Sequence, residues 1–182
     1  MRSLLFVPGD RPERFGKAAA SGADAIILDL EDAVTADRKA DARREVAAYL
    51  RDPAPVPRFV RINTLGSDGQ PADLAAARGA DALVLPKAGG PDDVLALVAS
   101  WGPDCPPILP IATETPLAIF RLGDYRRVAA HLCGLTWGAE DLPAAIGATA
   151  AREADGRYTA PIEMVRALAL FGAHAAGLAA IY

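Results

Sequence analysis

The sequence predicts an α/β fold, a TIM (β/α)8 barrel, on three observations. Short apolar runs alternate with Ala-rich segments of helical period. Most of those runs are apolar throughout, as parallel strands covered on both faces require. Acids and an arginine stand at the ends of several different runs, the way a barrel spreads its site over the carboxyl ends of its strands. The rival topology is an open doubly wound sheet, often marked by Gly-x-Gly-x-x-Gly after the first strand. Val7-Pro-Gly-Asp-Arg-Pro-Glu-Arg14 stands there instead.

The elements follow in order. A first strand is expected over residues 3–7, Ser-Leu-Leu-Phe-Val, and a helix over 12–21 opened by Pro12, whose missing N–H suits a first helical position. Strands over 25–30, 58–62 and 82–85 alternate with helices over 39–50, 69–78 and 91–100. Strands over 107–111 and 132–136 alternate with helices over 115–130 and 160–176, and a seventh strand begins at 178 and runs to Tyr182. A phrase recurs before three strands: Ser21-Gly-Ala-Asp-Ala-Ile26, Arg78-Gly-Ala-Asp-Ala-Leu83 and, more loosely, Gly172-Ala-His-Ala-Ala-Gly177. A glycine just past a helix takes φ > 0, ends the helix and turns the chain into the next strand.

The chain has 182 residues, expected as a single barrel domain over 1–182. A complete barrel takes typically about 250 residues, with a floor near 200. The count runs out inside strand seven, so the barrel is expected to be incomplete at its C-terminus: strand eight and the tail are absent or supplied by another chain. Hydrophobic residues make up 52% and charged residues 23%, enough for a sizeable core. A net charge of −4 argues against nucleic acid as a partner. No apolar run approaches the roughly 20 residues that span a bilayer. The apolar stretch Leu4–Pro8 is shorter than the about 7–15 residues of a signal peptide. No membrane role and a cytoplasmic location are therefore expected. Cys105 and Cys133 form no disulfide framework; Cys133 is expected in the core and Cys105 in a loop, neither beside a histidine that would activate it.

Candidate chemistry gathers at strand ends. Ile108-Leu-Pro-Ile-Ala-Thr-Glu114 and Leu135-Thr-Trp-Gly-Ala-Glu-Asp141 are apolar runs closed by carboxylates. Two such oxygens, with the rest of the shell left to water and substrate, suit Mg²⁺. The alternative is that Glu114 merely caps the following helix, but Thr113 could cap without it. Glu140 and Asp141 are rivals: adjacent residues at a strand end point to opposite sides, so only one faces inward, and these residues alone do not choose. Arg61 can hold a carboxylate bidentately or stabilise an enolate, or it is an ion-paired arginine at the rim. Asp29, Glu31 and Asp32 are three acids in four positions, which burial would penalise unless they are paired. They form an ion-pair network with Arg61 or Lys87, hold a metal-bound water, or include the general base, with Glu31 and Asp32 the catalytic candidates. Arg11, Arg14 and Lys17 either meet the phosphates of CoA or a phosphopantetheine arm, or form a solvated helix face. Lys87 either forms a Schiff base or, the preferred reading, an ion pair with a site acid.

Six segments carry a resemblance: Arg2-Ser-Leu-Leu-Phe-Val-Pro-Gly-Asp-Arg-Pro-Glu-Arg-Phe15, Asp29-Leu-Glu-Asp-Ala-Val34, Val60-Arg-Ile-Asn63, Leu85-Pro-Lys87, Thr113-Glu-Thr-Pro116 and Trp137-Gly-Ala-Glu-Asp-Leu142. In this order they resemble the citrate lyase β-subunit-like branch of the HpcH/HpaI aldolase family, over essentially the whole chain. The resemblance implies a Mg²⁺-dependent TIM barrel that works as a trimer or hexamer. It implies a CoA-ester lyase that cleaves or forms β-hydroxyacyl thioesters of the malyl-CoA, citramalyl-CoA or citryl-CoA/ACP type by reverse Claisen chemistry, giving a 2-oxo acid and an acyl thioester. It assigns the metal to Glu114 and Asp141, so choosing Asp141 over Glu140. It places Arg61, with Glu114, at the substrate. It also implies an eighth strand and, in the malyl-CoA lyase-like branch, a tail that brings a catalytic Asp. The competing expectations are a metal-dependent aldolase acting on a free 2-oxo acid, thioester hydrolysis by the same enolate chemistry, and an inactive or partner-dependent barrel fragment.

Overall fold

Strand and helix alternate along the chain as the periodicity requires, in a computed structural model that describes Met1 and residues 3–181. Arg2, which opens the first motif, and Tyr182, the expected end of the seventh strand, lie outside the described residues. The chain divides into two compact units.

The first unit holds residues 1–85 and 104–107. Its elements are β1 (Leu4–Pro8), α1 (Pro12–Ala19), β2 (Ala25–Asp29), α2 (Lys39–Tyr49), β3 (Arg58–Arg61), α3 (Gln70–Ala76) and β4 (Ala82–Leu85), with a single 3-10 turn at Ala36–Arg38. The strands are parallel in the order β1-β2-β3-β4. β2 is buried along its whole length, which is why Ala-Ile-Ile-Leu-Asp shows no polar alternation. Ile26, Leu28, Val60, Leu83 and Leu85 are fully buried. Each such side chain contributes about 1.5–3 kcal/mol relative to exposure. Register aligns Pro8 with Asp29 and Asp29 with Arg61, so three strand ends meet at one level. Gly9 lets the first loop cross the end of β2: a Cβ there would lie 2.7 Å from the Asp29 carbonyl oxygen.

The second unit holds residues 86–103 and 108–182. It contains α4 (Pro91–Trp101), β5 (Ile108–Pro110), α5 (Pro116–Ile119), β6 (Leu135–Thr136), α6 (Asp141–Ala145), α7 (Ala160–Ala175) and β7 (Ala180–Ile181). Parallel bridges join Ile108 to Leu132 and Ile111 to Thr136, and β6 pairs with β7 in parallel. The helix expected over 115–130 is instead one α-turn, α5, followed by a 3-10 segment over Leu122–His131. Leu122, Tyr125 and Val128 are its buried side chains, and the segment kinks at Val128, whose φ of −127° and ψ of 15° are not helical. α6 was not expected, being five residues long with Pro143 in its middle.

The recurring phrase does what its glycines suggest. Gly22, Gly79 and Gly177 follow helices with φ of 88°, 98° and 69°. In the third copy the turn falls on Gly177, whereas Gly172 lies inside α7, where a Cβ would come 2.9 Å from Leu122 Cβ. Among the described residues, no helix is long and apolar enough to cross a membrane.

Candidate active site

In the first unit the site is built on the strand-end register. Arg61 lies beside Asp29 and donates from Nε to Oδ1 at 2.8 Å and from Nη2 to Oδ2 at 2.5 Å. Its Nη1 stands 2.9 Å from Glu31 Oε2. Asp29 and Glu31 are buried. The Asp29 carboxylate also accepts from the backbone N–H of Glu31 at 2.8 Å and of Ala33 at 3.2 Å, folding the acidic turn around itself. Burial by itself would lower the Arg61 pKa. The bonds and charge of Asp29, then the charges of Glu31 and Asp32, outweigh it and raise the pKa, so the guanidinium stays charged. Its face lies 4.9 Å from the Phe6 ring centroid. Nε and Nη2 are thus committed to Asp29, while Nη1 approaches Glu31 as a charge contact. Asp32 is exposed.

A second set of residues, which the sequence reading missed, holds that turn from behind. Lys39 Nζ donates to the carbonyl oxygens of Leu30 at 2.6 Å and Glu31 at 2.5 Å, and to Asn63 Oδ1 at 2.9 Å. Burial depresses the Lys39 pKa, against the opposing charges of Asp29, Asp73, Glu31 and Asp32. Asn63 donates to Leu30 O at 2.8 Å and to Asp73 Oδ2 at 2.7 Å. Buried Asp73 is paired with Arg43 at 2.7 Å. Asn63 already stands in the Val-Arg-Ile-Asn motif; Lys39 and Asp73 carry no sequence signal beyond being charges on helices that face the sheet.

The expected phosphate-binding cations are exposed on and before α1. Arg14 and Lys17, with Leu5, Phe6, Val7, Pro8 and Ala18, line a hollow of about 400 Å³. Arg11 is turned toward Asp10, 3.8 Å away, which Arg38 also approaches at 3.6 Å.

In the second unit Glu114, Asp141 and Lys87 come together. Glu114 is buried, and its Oε2 accepts from the Lys87 backbone N–H at 2.5 Å. Lys87 Nζ lies 3.0 Å from Asp141 Oδ2. Neither acid closes a strand directly. β5 ends at Pro110 and β6 at Thr136, and tight turns carry the chain on to Glu114 and Asp141. Asp141 opens α6, where an acid is favoured, while Glu140 is exposed. Adjacent residues part here because of a helix start, not because of strand pleat. The α5 cap is supplied by Thr115, which accepts from Ala118 N–H at 3.3 Å, so Glu114 is released from capping. Thr113, the expected alternative cap, instead joins the two turns: its hydroxyl accepts from Gly138 N–H at 2.9 Å and donates to Gly138 O at 3.1 Å.

The donor set fits a hard divalent cation. Two carboxylates meet Lys87, Glu114 at its main-chain N–H and Asp141 at its ammonium. Asp141 Oδ2 is a buried oxygen that takes no hydrogen bond among the described residues and is met by Lys87 through charge alone. Among the described residues no three His, Cys, Asp or Glu side chains cluster as ligands. Two protein carboxylates with water and substrate oxygens completing the shell is the manner in which Mg²⁺ is commonly held. The cysteines stand apart from this chemistry. Burial raises the Cys105 pKa and pushes that of Cys133 up to about 11, which suppresses the thiolate a nucleophile needs.

The chain is similar to several known proteins. The chain is 38% identical over 188 residues to the citrate lyase subunit beta-like protein of Mycobacterium tuberculosis, covering 97% of this chain and 62% of that protein. It is 38% identical over 151 residues to a (3S)-malyl-CoA thioesterase of Cereibacter sphaeroides, covering 78% of this chain and 50% of the relative. The chain thus spans between half and two thirds of the length of these relatives. The crystal structure of protein CitE from Mycobacterium tuberculosis in complex with magnesium, acetoacetate and coenzyme A superposes with a TM-score of 0.83 at 36% identity, covering 97% of this chain and 63% of that one. The sequence pattern of one family, HpcH/HpaI aldolase/citrate lyase, matches residues 2–181, and to that family this chain belongs.

Proposed function

We propose that the chain carries the metal site of a Mg²⁺-dependent carbon–carbon lyase acting on a β-hydroxyacyl thioester of the malyl-CoA, citramalyl-CoA or citryl type. The observation that carries this reading is the convergence of Glu114 and Asp141 on Lys87. The complex of CitE with magnesium, acetoacetate and coenzyme A supports it. Glu114 and Asp141 would hold the Mg²⁺, which when bound would supply Lewis-acid stabilisation of the charge developing on the hydroxy or oxo acid. The remaining steps belong to side chains. Glu31 or Asp32 accepts the β-hydroxyl proton. The C–C bond then breaks, its electron pair passing to the thioester carbonyl to form an enolate, while the other fragment leaves as a 2-oxo acid. Arg61, kept charged by Asp29, orients a carboxylate and balances the developing enolate charge. Arg14 and Lys17, with Arg11 nearby, meet the phosphates of CoA or of a carrier-protein arm. The same reading makes the chain part of a single (β/α)8 barrel domain, in a cytoplasmic homo-oligomer.

The similarity to a malyl-CoA thioesterase supports a second reading, in which the acyl thioester is hydrolysed. Calorimetry of Mg²⁺ binding, with and without oxaloacetate or pyruvate, tests the site. Binding should strengthen with the oxo acid and vanish in Glu114→Ala/Asp141→Ala. A folded wild-type chain that binds no Mg²⁺ overturns the assignment. Malyl, citramalyl and citryl thioesters then separate the readings: a 2-oxo acid with no free CoA thiol marks the lyase, and free thiol marks hydrolysis.

A further inference from the structure

Lys87 touches both Glu114 and Asp141, each through a different part of itself. Its main-chain N–H holds Glu114, and its ammonium faces Asp141. It is also the one non-glycine residue with positive φ, 52°, among the described residues. A lysine in that conformation is disfavoured by roughly 1–2 kcal/mol, so the turn is held by what surrounds it. The conformation sends the N–H one way and the side chain another, onto two acids from separate turns. A backbone N–H cannot be displaced without refolding the turn, whereas an ammonium on a four-carbon stem can. The Lys87 side chain is 31% exposed and that of Asp141 36%, although the contacting oxygen Oδ2 is itself buried. The ammonium's contact with Asp141 is a charge contact without hydrogen-bond geometry, the kind most easily exchanged for another cation.

We propose that Lys87 is a built-in counter-cation. In the metal-free protein its ammonium occupies the Asp141 carboxylate, and a divalent cation binds by displacing it, while the Lys87 N–H keeps Glu114 in place throughout. The inference rests on the assignment of the metal to Glu114 and Asp141. It gives Lys87 a positioning role. Without the Lys87 ammonium, the Asp141 carboxylate would lose the cation beside it in a chain that must fold before metal arrives. With it, the site is neutralised in part at a cost in metal affinity.

The test is a Mg²⁺ titration by calorimetry on the wild-type chain, Lys87→Met and Lys87→Gln, with thermal unfolding of each at zero and saturating Mg²⁺. Methionine and glutamine also carry a Cβ, so the strain at φ 52° is the same in all three. Removing a partly exposed competing cation should tighten Mg²⁺ binding about three- to tenfold, as expected for one such ion pair plus relief of like-charge repulsion. The metal-free variants should melt lower than wild type and show a larger rise in melting temperature on adding Mg²⁺. Wild-type binding with equal or weaker binding by both variants overturns the proposal and leaves the metal site standing. No binding by folded wild-type protein overturns the metal assignment itself, and the proposal with it. If Lys87→Met does not fold, Lys87→Gln, which keeps a polar side chain of similar reach, decides.

Discussion

Arg61 grips Asp29 through two parallel bonds, Nε to Oδ1 at 2.8 Å and Nη2 to Oδ2 at 2.5 Å. The cause is register: the two residues are paired neighbours at the ends of β2 and β3. Two planar groups meeting edge to edge fix each other's orientation, which a lysine could not do. Because Asp29 is fully buried and also anchors the N–H groups of Glu31 and Ala33, it is at once a structural acid and the support of Arg61.

Asp29→Ala should therefore lower stability by about 3–5 kcal/mol, the cost of leaving a buried partner uncompensated. Urea denaturation measures it. A loss below about 1 kcal/mol would show that Arg61 finds water or Glu31 instead.

Asp73→Ala removes the acceptor of three bonds, from Arg43 Nε and from the main-chain and side-chain nitrogens of Asn63, each 2.7 Å long. A loss of about 3 kcal/mol is expected. Hydrogen exchange should also quicken at Leu30 and Glu31, whose carbonyls the Asn63–Lys39 pair holds. Unchanged exchange there with lowered stability would place the effect in α3 alone.

Gly138→Ala would put a Cβ 3.0 Å from Glu114 Cγ, 3.1 Å from Glu114 Oε1 and 3.1 Å from Ile111 Cγ2. The neighbours must yield by a few tenths of an ångström, and a carboxylate side chain yields more readily than a packed isoleucine. The expected result is a fold that survives and a Mg²⁺ affinity about tenfold weaker, read by calorimetry. Wild-type affinity would show that Glu114 does not hold the metal in its present position.

Alkaline stability depends on buried acids whose pKa values are raised. Cys133 goes from its ordinary 9.0 to about 11 through burial. The folded chain then binds more protons than the unfolded chain between those values, so stability is intact below pH 9 and falls as pH rises toward 11, by up to about 3 kcal/mol. Buried Tyr125 is raised as well, by burial and then by Asp93, and adds a loss that begins near its ordinary 10.0. Lys39 acts in the opposite sense: its depressed pKa returns stability as pH climbs to its ordinary 10.5. Comparing wild type with Cys133→Ala cancels the other two. The difference between them should grow from pH 9 to 11, and a difference independent of pH would remove the thiol from the account.

Much of this fold was legible in the chain. Ala25–Asp29 could only be a strand buried on both faces, because five such residues have no side to offer water. Pro12 and Pro91 open the helices they were expected to open. The split of residues 115–130 into α5 and a 3-10 segment was less visible, since helical periods of 3.0 and 3.6 differ by little over so short a stretch. The acids at strand ends were legible as a group, but their directions were not. Asp141 turns to Lys87 and Glu140 to solvent because α6 begins between them.

By itself the sequence determined the alternation of strands and helices, the burial of the parallel strands and the chemical types gathered beyond their ends, all properties of local spacing and hydrophobicity. Only the tertiary structure decided that Arg61 grips Asp29 with two N–H groups and lies against Glu31, that Lys39 and Asp73 hold the acidic turn, and that Lys87 meets both Glu114 and Asp141. Those contacts join residues far apart along the chain through irregular turns. Periodicity reports which side of an element is buried, but the direction of a side chain in a turn is set by the neighbours that packing brings to it.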